Sequence, residues 1–70
     1  MTLTKRALEL INNTKTRLRI AMALGITEQS VIRLIKSNND ILTKAAAVKV
    51  IKEDTGLTDK DIFQTDKVFA

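Results

Sequence analysis

The chain has 70 residues, 44% of them apolar and 29% charged, with a net charge of +4 and a pI near 9.8. That length suits one small packed domain, and the composition is that of a folded chain rather than a disordered one. There is no cysteine and no histidine, which excludes disulfides, thiolate chemistry and the common zinc-ligand sets, and the only aromatic residues, Phe63 and Phe69, leave the core to aliphatic side chains.

Taken in chain order, the apolar spacing predicts five helical pieces. The first covers about residues 4–11, with Leu3, Ala7, Leu8 and Ile11 at helical spacing, and ends in Asn12, Asn13 and Thr14. Thr16 is the expected N-cap of a second helix over 17–24, which places Ile20, Ala21 and Leu24 on one face. Gly25 closes that helix as a residue able to take a left-handed conformation. Thr27 then caps a third helix that runs to about Lys36, with Val31, Leu34 and Ile35 turned inward.

Residues 37–40 read as a loop, and Thr43 is expected to cap a fourth helix through about Asp54. Its inner face is read as Ala45, Val48, Ile51 and Thr55, and Gly56 stops it. Thr58 opens a short fifth helix with Asp61 at the third position and Ile62 and Phe63 as its apolar anchor. Strand signals are weak, because the β-branched residues recur at three and four rather than at two. Residues 1–70 thus read as a single domain with a core at 4–63 and a tail at 64–70.

The charge is unevenly distributed. Residues 1–49 carry nine Lys/Arg against three Asp/Glu, a net +6, whereas residues 50–70 carry three Lys against five Asp/Glu, a net −2. One end therefore suits a polyanion, although a mildly basic solvated surface has the same composition. The longest apolar run, residues 20–24, falls far short of the roughly 20 residues of a membrane span. Glu9 interrupts any signal-peptide core, so a soluble cytoplasmic chain is expected.

The stretch IAMALGITEQSV carries the most information. Two short helices can cross closely at one corner when the first offers a small residue and the turn offers a positive φ. Ala21 and Gly25 meet those demands, Ile26 can plug the inside of the corner, and Val31 and Leu34 face back across it. From residue 16 to residue 63 the chain resembles the lambda-repressor/Cro-like helix-turn-helix family of phage and bacterial regulators. The segment TRLRIAMALGITEQSVIRLI matches that family's two-helix unit in Ala21, Gly25, Ile26, Val31 and Leu34, and AAAVKVIKEDTGLTDKDIF resembles its closing segment. The resemblance implies an all-α, compact five-helix lambda-repressor-like DNA-binding domain, with the helix-turn-helix at about residues 17–36. It further implies sequence-specific binding of double-stranded DNA by a recognition helix in the major groove, as a small phage or bacterial transcriptional regulator.

With Val31 and Leu34 inward, the outward residues of the third helix are Glu28, Gln29, Ile32, Arg33 and Lys36, the candidate base contacts. Gln29 suits adenine, Arg33 suits guanine or a phosphate, and Ile32 suits a thymine methyl. Glu28 serves equally to complement the helix dipole, Arg33 and Lys36 equally as solvated charges, and Ile32 equally as a contact to a partner or to the domain's own loop. The family places a phosphate donor, usually glutamine, at the start of the second helix; here that position is Arg17. Lys15, Arg19, Asn38 and Asn39 flank the same face, and Thr16 and Thr27 would present helix N-terminal N–H groups to phosphate oxygens.

The resemblance also implies a homodimer on a two-fold site, with Phe63, Val68 and Phe69 on the dimer surface, although packing inside the domain explains Phe63 as well. A protein-interaction module on the same scaffold, antitoxin-like or a regulatory partner, is the competing reading, with Ile32 and Leu18 as its apolar contacts. An enzyme is not expected, since there is no glycine-rich phosphate loop and the carboxylates fall at helix caps and in the tail. No cofactor, metal, membrane or small-molecule ligand is expected either.

Overall fold

In the computed structural model, which describes residues 2–64, the chain opens with a two-residue strand, β1 (Thr2–Leu3). Four α-helices follow: α1 (Lys5–Ile11), α2 (Thr14–Leu24), α3 (Glu28–Ser37) and α4 (Ala45–Thr55). A 3-10 turn, Asp40–Thr43, joins α3 to α4, and a single-turn α5 (Asp59–Ile62) leads into a second short strand, β2 (Phe63–Gln64). Five α-helices among the described residues make this an all-α fold, as the spacing of apolar residues predicts.

Local chemistry explains most of the boundaries. Thr4 caps α1, its hydroxyl oxygen accepting from the Ala7 N–H at 3.2 Å, and Thr27 caps α3 in the same way through the Ser30 N–H at 3.1 Å. Gly25 ends α2 at φ 70° and Gly56 ends α4 at φ 72°, in the left-handed region where a residue without Cβ carries no steric penalty. At the first of these, Ile26 N–H donates to Ala21 O and Gly25 N–H donates to Met22 O, which satisfies carbonyls that the helix end leaves open. Asn38 does for α3 what glycine does for α2 and α4. It is the only described non-glycine residue at positive φ, at 49°.

Two boundaries and one buried face differ from those expected. The N-cap of α2 is Asn13, not Thr16, and the helix starts three residues earlier; Asn13 Oδ1 accepts from the Thr16 N–H at 2.9 Å. Thr16 lies inside the helix, 3% exposed, and its hydroxyl donates to Asp54 Oδ2 on α4 at 3.0 Å. Thr43 does not cap α4. Its hydroxyl turns back to the Asp40 carbonyl at 2.6 Å within the 3-10 turn, and Lys44 occupies the cap position without a side-chain bond. The buried face of α4 is Ala47, Val48, Val50 and Ile51, whereas Ala45 is exposed.

The two strands were not expected. Leu3 pairs with Phe63 and Thr2 with Gln64, antiparallel, so the two ends of the described chain lie side by side. Leu3 is fully buried from that strand rather than from the start of α1. Asn38 holds it there: Leu3 N–H donates to Asn38 Oδ1 at 3.1 Å, and Asn38 Nδ2 donates to Leu3 O at 3.0 Å. The core is aliphatic throughout, with Ile11, Ile20, Leu42, Ile51 and Ile62 fully buried and Phe63 only packed against it.

The α2 helix sits at the centre of the packing, against α4 on one side and α3 on the other. A polar tie reinforces the first contact. Asp54, whose side chain is 5% exposed, accepts from Thr16 and pairs with Arg19, which also donates to Glu53 at 2.8 Å. The Arg19 guanidinium is held above its ordinary pKa, first by the hydrogen bond to Glu53 and then by the charge of Asp54, and so stays ionised. Gln64, the first residue of the expected tail, is paired in β2, whereas Val68 and Phe69, with the rest of residues 65–70, lie outside the described residues.

Candidate nucleic-acid interface

The α3 helix separates its faces sharply. Val31 is fully buried and Ile35 is 9% exposed, Leu34 is half-buried, and Gln29, Ile32, Arg33 and Lys36 are exposed. The four exposed residues follow the helical spacing that the sequence predicts for an outward face. Arg33 and Lys36 form no ion pair among the described residues, so their charge is directed to solvent.

Glu28, the one acid on α3, is not free. Arg17 on α2 donates from Nε to Glu28 Oε2 at 3.1 Å, and both side chains are largely covered, at 17% and 32% exposed. Arg17 also donates to Asn12 Oδ1 at 2.8 Å and to Thr14 Oγ1 at 3.3 Å. The pair bridges the start of α2 to the start of α3 and neutralises the only negative charge on the helix. Arg17 and Glu28 are thus brought together, as a partnership that neither residue's expected role includes. The remaining exposed face of α3 is net positive.

The flanking residues divide. Lys15 is exposed in the first turn of α2, and Thr27 is exposed at the N-terminus of α3. Thr27 holds the Ser30 N–H, so the N–H groups of Glu28 and Gln29 are the ones that open the helix outward. Asn39 accepts from the Ile41 N–H at 2.9 Å through Oδ1, which caps the 3-10 turn, while its Nδ2 has no partner among the described residues.

Three residues expected at the phosphates have their side chains engaged within the fold instead. Thr16 is buried in α2 and bonded to Asp54, Asn38 has both polar atoms of its carboxamide on the Leu3 backbone, and Arg19 is turned to the acids of α4. Each is engaged by an element distant in sequence, which local spacing does not reveal.

One residue was missed. Lys44, at the start of α4, shares a cleft with Arg33 of α3, so the connection after α3 adds a second cation to that edge. Its position follows from the 3-10 turn, which folds the 40–43 segment back beside α3. Compared with protein-family models, curated proteins and solved structures, the chain matches none.

Proposed function

We propose that the protein binds double-stranded DNA sequence-specifically, with α3 as a recognition helix in the major groove, as a helix-turn-helix regulator of the lambda-repressor/Cro-like kind. The observation that carries this reading is the outward face of α3: Gln29, Ile32, Arg33 and Lys36 are exposed, two of them are cations without ion pairs among the described residues, and the helix's only acid is neutralised by Arg17. A helix about 10–12 Å across fits a major groove about 12 Å wide, and it reads base edges only through side chains that its own fold leaves free.

In this reading Gln29 pairs with adenine, Arg33 meets guanine and Ile32 packs on a thymine methyl, with Lys36 beside them. Lys15, Asn39 and the N–H groups behind Thr27 position the duplex through its phosphates, and Lys44 joins them at the edge of α3. Arg17 acts mainly by fixing α3 against α2. A single module of this size gains affinity and site length by pairing, so the proposal includes a homodimer on a two-fold operator.

Binding to another protein through the same scaffold is the second reading. It is favoured by exposed apolar side chains on α2, Leu18 at 46% and Met22 at 83%. Selection of bound duplexes from a random pool separates the two. Enrichment of one two-fold sequence, lost with Gln29→Ala and Arg33→Ala, supports the first reading; no enrichment from a folded protein contradicts it.

A further inference from the structure

Beside the outward face of α3 lies a cleft of about 410 Å³. Its floor is Leu24 at the end of α2, Ile26 in the turn, Leu34 of α3 and Ile41 of the 3-10 turn. Arg33 and Lys44 line it from α3 and from the start of α4, and neither has an acidic partner among the described residues. Ser30 adds a hydroxyl: its Oγ accepts from Thr27 Oγ1 at 3.0 Å, which leaves its own O–H without an acceptor there. The volume falls within the range of about 300–1,000 Å³ common to small-molecule sites, which pair an apolar lining with a few convergent polar groups.

Charge complementarity decides the occupant. An apolar floor favours a hydrocarbon body, and two uncompensated cations with one hydroxyl donor favour a single anionic head. A purely apolar ligand would leave both cations without a counter-charge, and a small inorganic anion would leave the floor wet. We propose that this cleft binds a monomeric amphipathic carboxylate, an acyl or aryl acid whose body lies on Leu24, Ile26, Leu34 and Ile41 and whose head meets Arg33 and Lys44. The sequence alone gives no hint of it, because the lining comes from four separate elements.

The consequence for DNA rests on the proposed reading of α3. Arg33 belongs to both surfaces, so the bound acid would occupy a base-reading side chain and compete with the duplex. The site itself does not depend on that reading, and the two are tested apart.

The test is titration of the full chain with decanoate below its micelle-forming concentration, followed by backbone amide shifts and by calorimetry. Decanol, acetate and vesicles of phosphatidylglycerol serve as the other arms. The expected result is saturable one-to-one binding, with shifts centred on Leu24, Ile26, Ile41 and Lys44. Decanol should bind at least about threefold more weakly, and acetate should leave those amides in place. Lys44→Gln should raise the Kd about threefold and Ile41→Ser about tenfold, since the first removes a partly solvated charge and the second most of one apolar side chain.

Non-saturating binding, shifts centred elsewhere, equal affinity for decanol, unaltered binding in both variants, or binding to the vesicles with none to monomeric decanoate would each overturn the proposal. A duplex displaced by decanoate supports the competition. A protein that binds decanoate as described but no duplex leaves the cleft standing and removes the DNA reading alone.

Discussion

Arg17 and Glu28 are eleven positions apart and meet at 3.1 Å, Nε to Oε2, where the start of α2 faces the start of α3. The contact gives both residues a structural role on a surface otherwise dominated by unpaired positive charge. It also restrains a guanidinium that would otherwise be free to reach a phosphate. Replacing Glu28 with glutamine removes its charged partner and leaves only the exposed bonds to Asn12 and Thr14 to compete with a phosphate. The expected outcome is tighter binding of random duplex and a log–log salt slope steeper by about 0.9, the change for one further phosphate neutralised. Arg17→Ala leaves Glu28 unpaired and should weaken binding to all duplexes alike. Stability should change by about 1 kcal/mol or less in Glu28→Gln, because the pair is partly exposed.

Asn38 carries two loads at once, a left-handed φ of 49° and both hydrogen bonds to the Leu3 backbone. Asn38→Ala should lower the unfolding free energy by about 2–4 kcal/mol, through backbone strain together with two lost bonds. Asn38→Gly relieves the strain without restoring the bonds, and should recover only part of the loss. Urea denaturation of the three proteins separates these contributions; equal stability of the alanine variant and the parent would show that β1 is not held by Asn38.

The corner between α2 and α3 depends on backbone conformation rather than on space. A Cβ at Gly25 would meet no atom within 4 Å, yet φ there is 70°. Gly25→Ala should therefore cost about 1–2 kcal/mol from the left-handed conformation alone, and Gly25→Val more because its side chain is branched at Cβ. Gly25→Asn should lose least, since asparagine tolerates that region. An alanine variant with unchanged thermal melting would contradict the corner geometry.

These three relationships differ in how far the sequence reveals them. The cap at Thr27 and the stops at Gly25 and Gly56 are legible because each depends on groups within a few residues. The outward face of α3 is legible for the same reason, since the spacing of Val31 and Leu34 fixes it. Asn13 and Thr16 are comparable N-caps in isolation; Asp54, 38 residues further on, takes the Thr16 hydroxyl and leaves the cap to Asn13. The strands are two residues each, too short for a period of two to register. Arg19 looks free by composition, and only the packing of α2 on α4 brings it to Glu53 and Asp54.

Asp54 supplies a further prediction. Its side chain is nearly buried and accepts from both Thr16 and Arg19, so Asp54→Ala leaves the buried Thr16 hydroxyl without its acceptor. A loss of about 1–3 kcal/mol is expected, and a double-mutant cycle with Thr16→Val should show a coupling of at least about 0.5 kcal/mol. Additive effects in that cycle would mean that the hydroxyl bonds elsewhere. Arg19→Ala should leave the DNA salt slope unaltered, in contrast to Lys15→Ala.

The proposal that α3 enters a groove is tested most directly by fluorescence anisotropy of a labelled random duplex over a series of salt concentrations. Contacts to phosphates release counterions, so log K should fall linearly with log salt, by about 0.9 for each phosphate neutralised. The expected result is a slope of several units that becomes shallower by about one in Lys15→Ala and again in Lys44→Ala. A folded protein that shows no binding, or binds with a flat slope that neither variant changes, would contradict it.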